Sequence, residues 1–98
     1  MTDYSQLEAN AEKATKLLKT MSNQHRLMIL CALQQGELSV SQLNELFPIA
    51  QSTLSQHLAW LRRESYVKTR RDAQTIYYAL DSQAVIEIIS VLHKLYCD

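Results

Sequence analysis

Glycine and proline are almost missing from this chain, with one of each in 98 residues. Long flexible linkers and proline-rich segments are thereby excluded, and turns must be built from other residues. No apolar run approaches the ~18 residues that would cross a bilayer, so no membrane partner is expected. The opening MTDYSQLEAN is polar and acidic, unlike a signal peptide, which points to a cytoplasmic protein. In that reducing setting the two cysteines, Cys31 and Cys97, read as thiols rather than a structural disulfide. No nucleophile–base pair, phosphate loop or metal centre is visible, so neither an enzyme nor a cofactor is expected.

Residues 1–98 are long enough for a single domain with a modest core, a size at which oligomerisation often supplies the missing burial. The spacing predicts a helix over residues 4–20, with Leu7, Ala11, Ala14, Leu18 and Met21 forming a narrow apolar seam suited to another helix. Lys13, Lys16 and Lys19 lie away from that seam, on a solvated face. Asn23 caps a second helix running to Gln35 and closed by Gly36. Its residues 27–33 are all apolar, which implies a buried central helix and a Cys31 at least half-buried. A last helix over residues 83–96, capped at Asp81-Ser82, carries a wide apolar face of Val85, Ile88, Ile89, Leu92, Leu95 and Tyr96. Together the two terminal helices hold more apolar surface than so short a chain can bury. Leu7, Ala11, Ala14, Leu18, Ile88, Leu92 and Leu95 are therefore expected at a homodimer interface.

The centre of the chain, Ser39 to Arg63, reads as two short helices with a sharp turn. Ser39 and Gln42 make a capping box, Leu43, Leu46 and Phe47 form the first apolar face, and Pro48 ends that helix. The second helix, from about Gln51 to Glu64, places Leu54, Leu58 and Leu61 inward. Gln51, Ser52, Thr53, Ser55, Gln56, Arg62 and Arg63 fall on or beside the opposite face. Small hydroxyls allow close approach of the backbone, Gln pairs with base edges, and Arg reaches bases or phosphates, the equipment of a helix that enters a major groove. Ala50 stands where a capping side chain would be expected. His57 reads as structural, and Trp60 as packing on a flank.

Two β-prone runs follow, Tyr66–Arg71 and Thr75–Leu80, as a hairpin around Asp72-Ala73-Gln74. Val67, Thr69, Ile76, Tyr78 and Leu80 should face the core, with Arg70, Arg71 and Gln74 near the tip, within reach of a minor groove or its phosphates. The expected fold class is thus mainly α with a β-hairpin wing: a winged helix-turn-helix of four helices, two strands and a fifth helix. The formal net charge of zero is no objection, because residues 51–71 hold five basic side chains against Glu64 alone. Local potential governs phosphate attraction when the Debye length is about 8 Å.

The runs Leu30-Cys31-Ala32-Leu33, Glu37 to Leu43 and Gln51 to Leu58, followed by the wing, resemble the ArsR/SmtB family of bacterial repressors over nearly the whole chain. Leu54 to Arg63 and the terminal Leu95-Tyr96-Cys97 are similar to the HlyU, BigR and SqrR group of thiol-based sensors of reactive sulfur. The resemblance implies dimerisation through the first and last helices, double-stranded DNA with a palindromic operator as partner, and persulfide or polysulfide as inducer. It also implies that Cys31 and Cys97 are a redox-sensor pair. Cys97, near the chain end and so more accessible, is the first candidate nucleophile, with Cys31 resolving, although the sequence does not fix which reacts first. Leu95 and Tyr96 should anchor Cys97 on the core. A metal-responsive repressor of the same fold is the alternative. The metal-sensing members carry Cys-x-Cys where Ser39 and Ser41 stand, and the last helix offers only Asp81, Glu87 and His93, so no metal site is expected. A winged-helix interaction module without a switch is the remaining reading.

Overall fold

The computed structural model describes residues 3–97. In chain order the elements are α1 (Tyr4–Met21), α2 (Gln24–Ala32), a 3-10 turn (Leu33–Gln35), β1 (Leu38–Ser39), α3 (Val40–Leu46), α4 (Gln51–Arg63), β2 (Val67–Asp72), β3 (Thr75–Leu80) and α5 (Gln83–Tyr96). This is the expected winged helix-turn-helix with one addition. The hairpin β2–β3 is extended by β1 into an antiparallel sheet ordered β1-β3-β2, with Ser39 opposite Tyr77 and Tyr77 opposite Arg70. Two residues are too few to leave a periodic trace in the sequence.

Side-chain caps begin most of the helices. Asp3, Asn23, Ser39 and Ser82 each accept a hydrogen bond from the backbone N–H three residues on. At Ser39 the capping box is complete, because Gln42 Oε1 accepts in return from the Ser39 N–H at 2.9 Å. The turn between α3 and α4 is tied by Asn44, whose amide donates to the Ile49 carbonyl at 2.9 Å. The α2 helix gives way to a 3-10 turn after Ala32, earlier than the expected Gln35. Gly36 then takes φ 147° and ψ 179°, a conformation open essentially to glycine alone.

The core is built from Met21, Ile29, Leu30, Leu33, Leu43, Leu54, Leu58, Leu61, Val67, Val85 and Ile89, drawn from every helix and from the root of the wing. Several expected core contacts do not form. Leu46 is exposed because α3 is seven residues long and ends before its last turn reaches the core. Ile76 is exposed because the wing tip projects beyond the domain, so strand alternation buries side chains only at the hairpin root. Leu95 and Tyr96 are exposed and do not anchor Cys97, since α5 overruns the core that Val85 and Ile89 enter.

The outer ends of the two terminal helices project beyond the body of the domain. The radius of gyration is 14.9 Å and the extents are 50 × 30 × 21 Å, against about 13 Å for a compact 100-residue domain. Residues 3–16 are exposed throughout, and Leu7 and Leu18 stay 60% and 58% accessible. Among the described residues no helix is long and apolar enough to cross a membrane.

Candidate nucleic-acid interface and cysteine groove

The outward face of α4 follows from its inward one. Leu54, Leu58 and Leu61 are fully buried, which turns Gln51, Ser52, Ser55, Gln56, Arg62 and Arg63 to the surface and leaves Thr53 half-buried on the flank. Ala50 provides no side-chain cap. The first N–H groups of α4 therefore lack a capping side chain at the positive end of the helix dipole, an arrangement that favours an anion.

The far end of α4 is fixed by a six-residue closure. Tyr66 N–H donates to the Leu61 carbonyl at 2.9 Å and Ser65 N–H to the Arg62 carbonyl at 3.0 Å, with Ser65 at φ 65°. This is a Schellman motif with serine at the position glycine usually takes. Its accompanying apolar contact is Trp60 stacked on Tyr66, ring centroids 6.3 Å apart. Arg26 of α2 also packs on Trp60, its guanidinium carbon 3.9 Å from the ring centroid. The half-buried His57 sits at the same α2–α4 junction. Burial first, then the charges of Arg26 and His25, hold its imidazole below the ordinary histidine range.

The basic side chains divide into two groups. Arg62, Arg63 and Lys68 are exposed and have no ion-pair partner among the described residues. The wing arginines are already engaged. Arg71 Nε donates to the Ala73 carbonyl at 3.1 Å, within the turn at the tip. Arg70 is gripped by Glu37: its Nε donates to both carboxylate oxygens at 3.1 Å and a terminal nitrogen donates to Oε1. The guanidinium carbon of Arg70 also lies 4.7 Å from the Tyr77 ring centroid. The pair draws the Glu37 carboxyl below its usual range, the hydrogen bond from Arg70 being the main cause. Glu37 and Arg70 are 33 residues apart and nothing in linear spacing signals their contact. Gln74 is exposed in the turn beside Thr75.

The two cysteines meet elsewhere. Leu27, Cys31, Gln34, Gln35, Leu92, His93, Tyr96 and Cys97 line one largely apolar groove of about 260 Å³ between α2 and the end of α5. Both thiols are free and exposed. For Cys31 this corrects the expectation of an all-round buried helix: Ile29, Leu30 and Leu33 enter the core while Cys31 lies on the edge facing α5. Partial burial, and then the nearby Cys97, push the Cys31 thiol up, which lowers its thiolate fraction. Cys97 is held at the helix end by its N–H donating to the His93 carbonyl at 2.8 Å. Among the described residues no group of three or more His, Cys, Asp or Glu is arranged to hold a metal ion.

Comparison with known proteins converges on the same architecture. Residues 23–69, from the cap of α2 into β2, match the bacterial regulatory protein, arsR family. Over 95 residues the chain is 52% identical to the transcriptional activator HlyU of Vibrio cholerae, covering 97% of this chain and 88% of that protein. This chain belongs to the ArsR family. It is also 38% identical over 91 residues to the biofilm growth-associated repressor of Xylella fastidiosa, covering 93% of this chain and 80% of the relative. The crystal structure of a transcriptional regulator HlyU from Vibrio vulnificus superposes with a TM-score of 0.93 at 51% identity, covering 98% of this chain and all of that one. The winged-helix topology of this ArsR-family chain is thus shared along nearly its full length.

Proposed function

We propose that this ArsR-family protein is a dimeric regulator whose affinity for a palindromic operator is switched by reactive sulfur cross-linking Cys31 to Cys97. As a member of the family the chain is a DNA-binding transcriptional regulator. The finer reading rests on one observation: two cysteines 66 positions apart in sequence line the same groove. DNA binding is assigned to the outward face of α4, through Gln51, Ser52, Thr53, Ser55 and Gln56, with Arg62, Arg63 and the wing residues Arg70, Arg71 and Gln74 on the backbone. The dimer is assigned to α1 and α5, whose open apolar side chains Leu7, Leu18 and Leu95 support it. Ile88 and Leu92 lean on the chain's own core and contribute only their outer edges. A two-fold dimer presents two α4 helices to two half-sites.

The switch is written as two thiolate displacements. The Cys97 thiolate attacks the middle sulfur of a trisulfane, H–S–S–S–H, and expels hydrosulfide, leaving Cys97 Sγ–S–SH. The Cys31 thiolate then attacks the sulfur bonded to Cys97 Sγ and expels a second hydrosulfide. The product is a trisulfide. Two thiols have been oxidised, one trisulfane has become two equivalents of hydrogen sulfide, and the thiol protons leave with them. The raised Cys31 thiol suits the second, resolving step, where the attack is intramolecular. The groove volume of about 260 Å³ exceeds the ~30 Å³ share of a water molecule, which leaves room for inserted sulfur. The cross-link would tie the end of α5 to α2, and α2 presses on α4 through Arg26 and Trp60.

Intact mass spectrometry after polysulfide treatment, with DNA binding measured on the same sample, tests this. Cross-linked species spaced by about 32 Da, one sulfur atom, should accompany loss of DNA affinity that returns on reduction. Hydrogen peroxide supplies no sulfur and should cross-link poorly. Cys31→Ser and Cys97→Ser should each bind DNA normally and lose the response. A full response in either variant, or equal cross-linking by peroxide, would sink the proposal.

A further inference from the structure

The wing carries an acid at the place where it would be expected to offer a base. Glu37 follows Gly36 and precedes β1 by one residue, so strand alternation puts it on the same face as Ser39, Tyr77 and Arg70. There it takes both carboxylate oxygens to Arg70 while the Tyr77 ring flanks the guanidinium. Neither partner is buried: their side chains are 53% and 38% accessible. As a contribution to stability such an exposed pair is worth little. Its consequence is for binding, because it occupies a wing arginine that DNA would also claim.

We propose that Glu37 is an internal competitor for Arg70 that attenuates the wing's grip on a DNA phosphate and yields the guanidinium only to one held in register. This rests on the reading that the wing faces the DNA backbone. Carboxylate and phosphate both accept the planar guanidinium fork in the same two-pronged way. Moving Arg70 from Glu37 to DNA therefore exchanges one ion pair for another and leaves the Glu37 carboxylate facing the phosphates. A loosely bound duplex, sliding past the head, gains little from that exchange. A duplex locked by the α4 contacts presents its phosphate at a high effective concentration, and there the exchange is favourable. The cost of breaking the Glu37–Arg70 pair thus falls on the registered complex, and Glu37 lowers specific affinity more than nonspecific affinity. It also reduces net counterion release, since the freed carboxylate recruits a cation as the phosphate loses one. Arg62, Arg63 and Lys68, which have no ion-pair partner among the described residues, supply the general attraction.

The test compares the parent, Glu37→Gln, Arg70→Ala and the double variant on two duplexes at several salt concentrations. One duplex is selected by the parent from a random pool; the other is its scrambled sequence. Thermal melts confirm folding, and Glu37→Ala replaces Glu37→Gln if the latter misfolds. Glu37→Gln should tighten binding to the selected duplex several-fold, to the scrambled duplex less, and steepen the logarithmic salt slope on the selected duplex by up to about 0.9, the release from one phosphate. In the Arg70→Ala background the same substitution should lose most of its effect on affinity, keeping only the relief of carboxylate–phosphate repulsion, and should not steepen the slope. Unchanged slope, weaker binding, or an equal effect without Arg70 would overturn the role of Glu37 while leaving the parent a DNA-binding protein. A parent that selects no duplex and shows no salt-dependent binding would overturn this inference and the DNA reading together.

Discussion

His25 meets His57 edge to face across the junction of α2 and α4, ring centroids 5.7 Å apart and planes at 66°. Partial burial opposes protonation of His57, and the positive charges of Arg26 and then His25 add to that. His57 is therefore held neutral in the fold longer than in the unfolded chain. As pH falls below the ordinary histidine value of about 6.5, the unfolded state takes up its proton first and stability declines. Thermal melts from pH 7.5 down to 5 should show this decline, and His57→Gln should make it shallower. A variant with the parental pH dependence would move the effect to another group.

Gln56 is exposed on the outward face of α4, opposite the buried Leu54 and Leu58. Gln56→Ala should cost about 1–3 kcal/mol on a selected duplex and relax preference at one base pair. Competition with single-base variants of that duplex reads both effects. If affinity and preference both persist, Gln56 does not touch a base.

Leu18 is 58% accessible on a helix that contributes Thr20 and Met21 to the core. Leu18→Asp should yield monomers in sedimentation without loss of helix, because the side chain is largely open to solvent. DNA binding should fall with dimerisation. A Leu18→Asp protein that remains dimeric would place the interface elsewhere. Leu92 is a poorer probe, since it packs on the core and an acid there would also disturb the fold.

Gly36 has open space where a Cβ would go, yet its φ is 147°. Gly36→Ala should destabilise by about 1–3 kcal/mol through backbone strain alone. Chemical denaturation measures it. A neutral substitution would mean that the link between the 3-10 turn and β1 readily takes another path.

Much of this was legible in the sequence, and unevenly so. Ser39 with Gln42, Asn23 and Ser82 announce their helices because capping is local chemistry, decided within three residues. Leu54, Leu58 and Leu61 announce a buried face because a helix has a fixed period. Cys31 did not: seven apolar residues in a row give no phase, so the edge facing α5 could not be told from the edge facing the core. Periodicity points Leu46 and Ile76 inward, because it says which face a residue takes but not where the core ends. The Arg26–Trp60–Tyr66 stack and the Glu37–Arg70 pair join distant segments, and no spacing rule reaches them. The positive φ at Ser65 was hidden because serine stands where glycine would have marked the turn.

Ser39 holds three positions at once: last residue of β1, cap of α3, and cross-strand neighbour of Tyr77 in the wing. A wing that swung independently would have to break the β1–β3 pairing and uncap the helix-turn-helix in the same motion. Helix-turn-helix and wing therefore travel as one rigid tool. A signal arriving through α2 or α5 has little freedom to reshape that tool. In the proposed dimer it acts instead on the span and tilt between two unchanged copies, and the operator measures that span in base pairs.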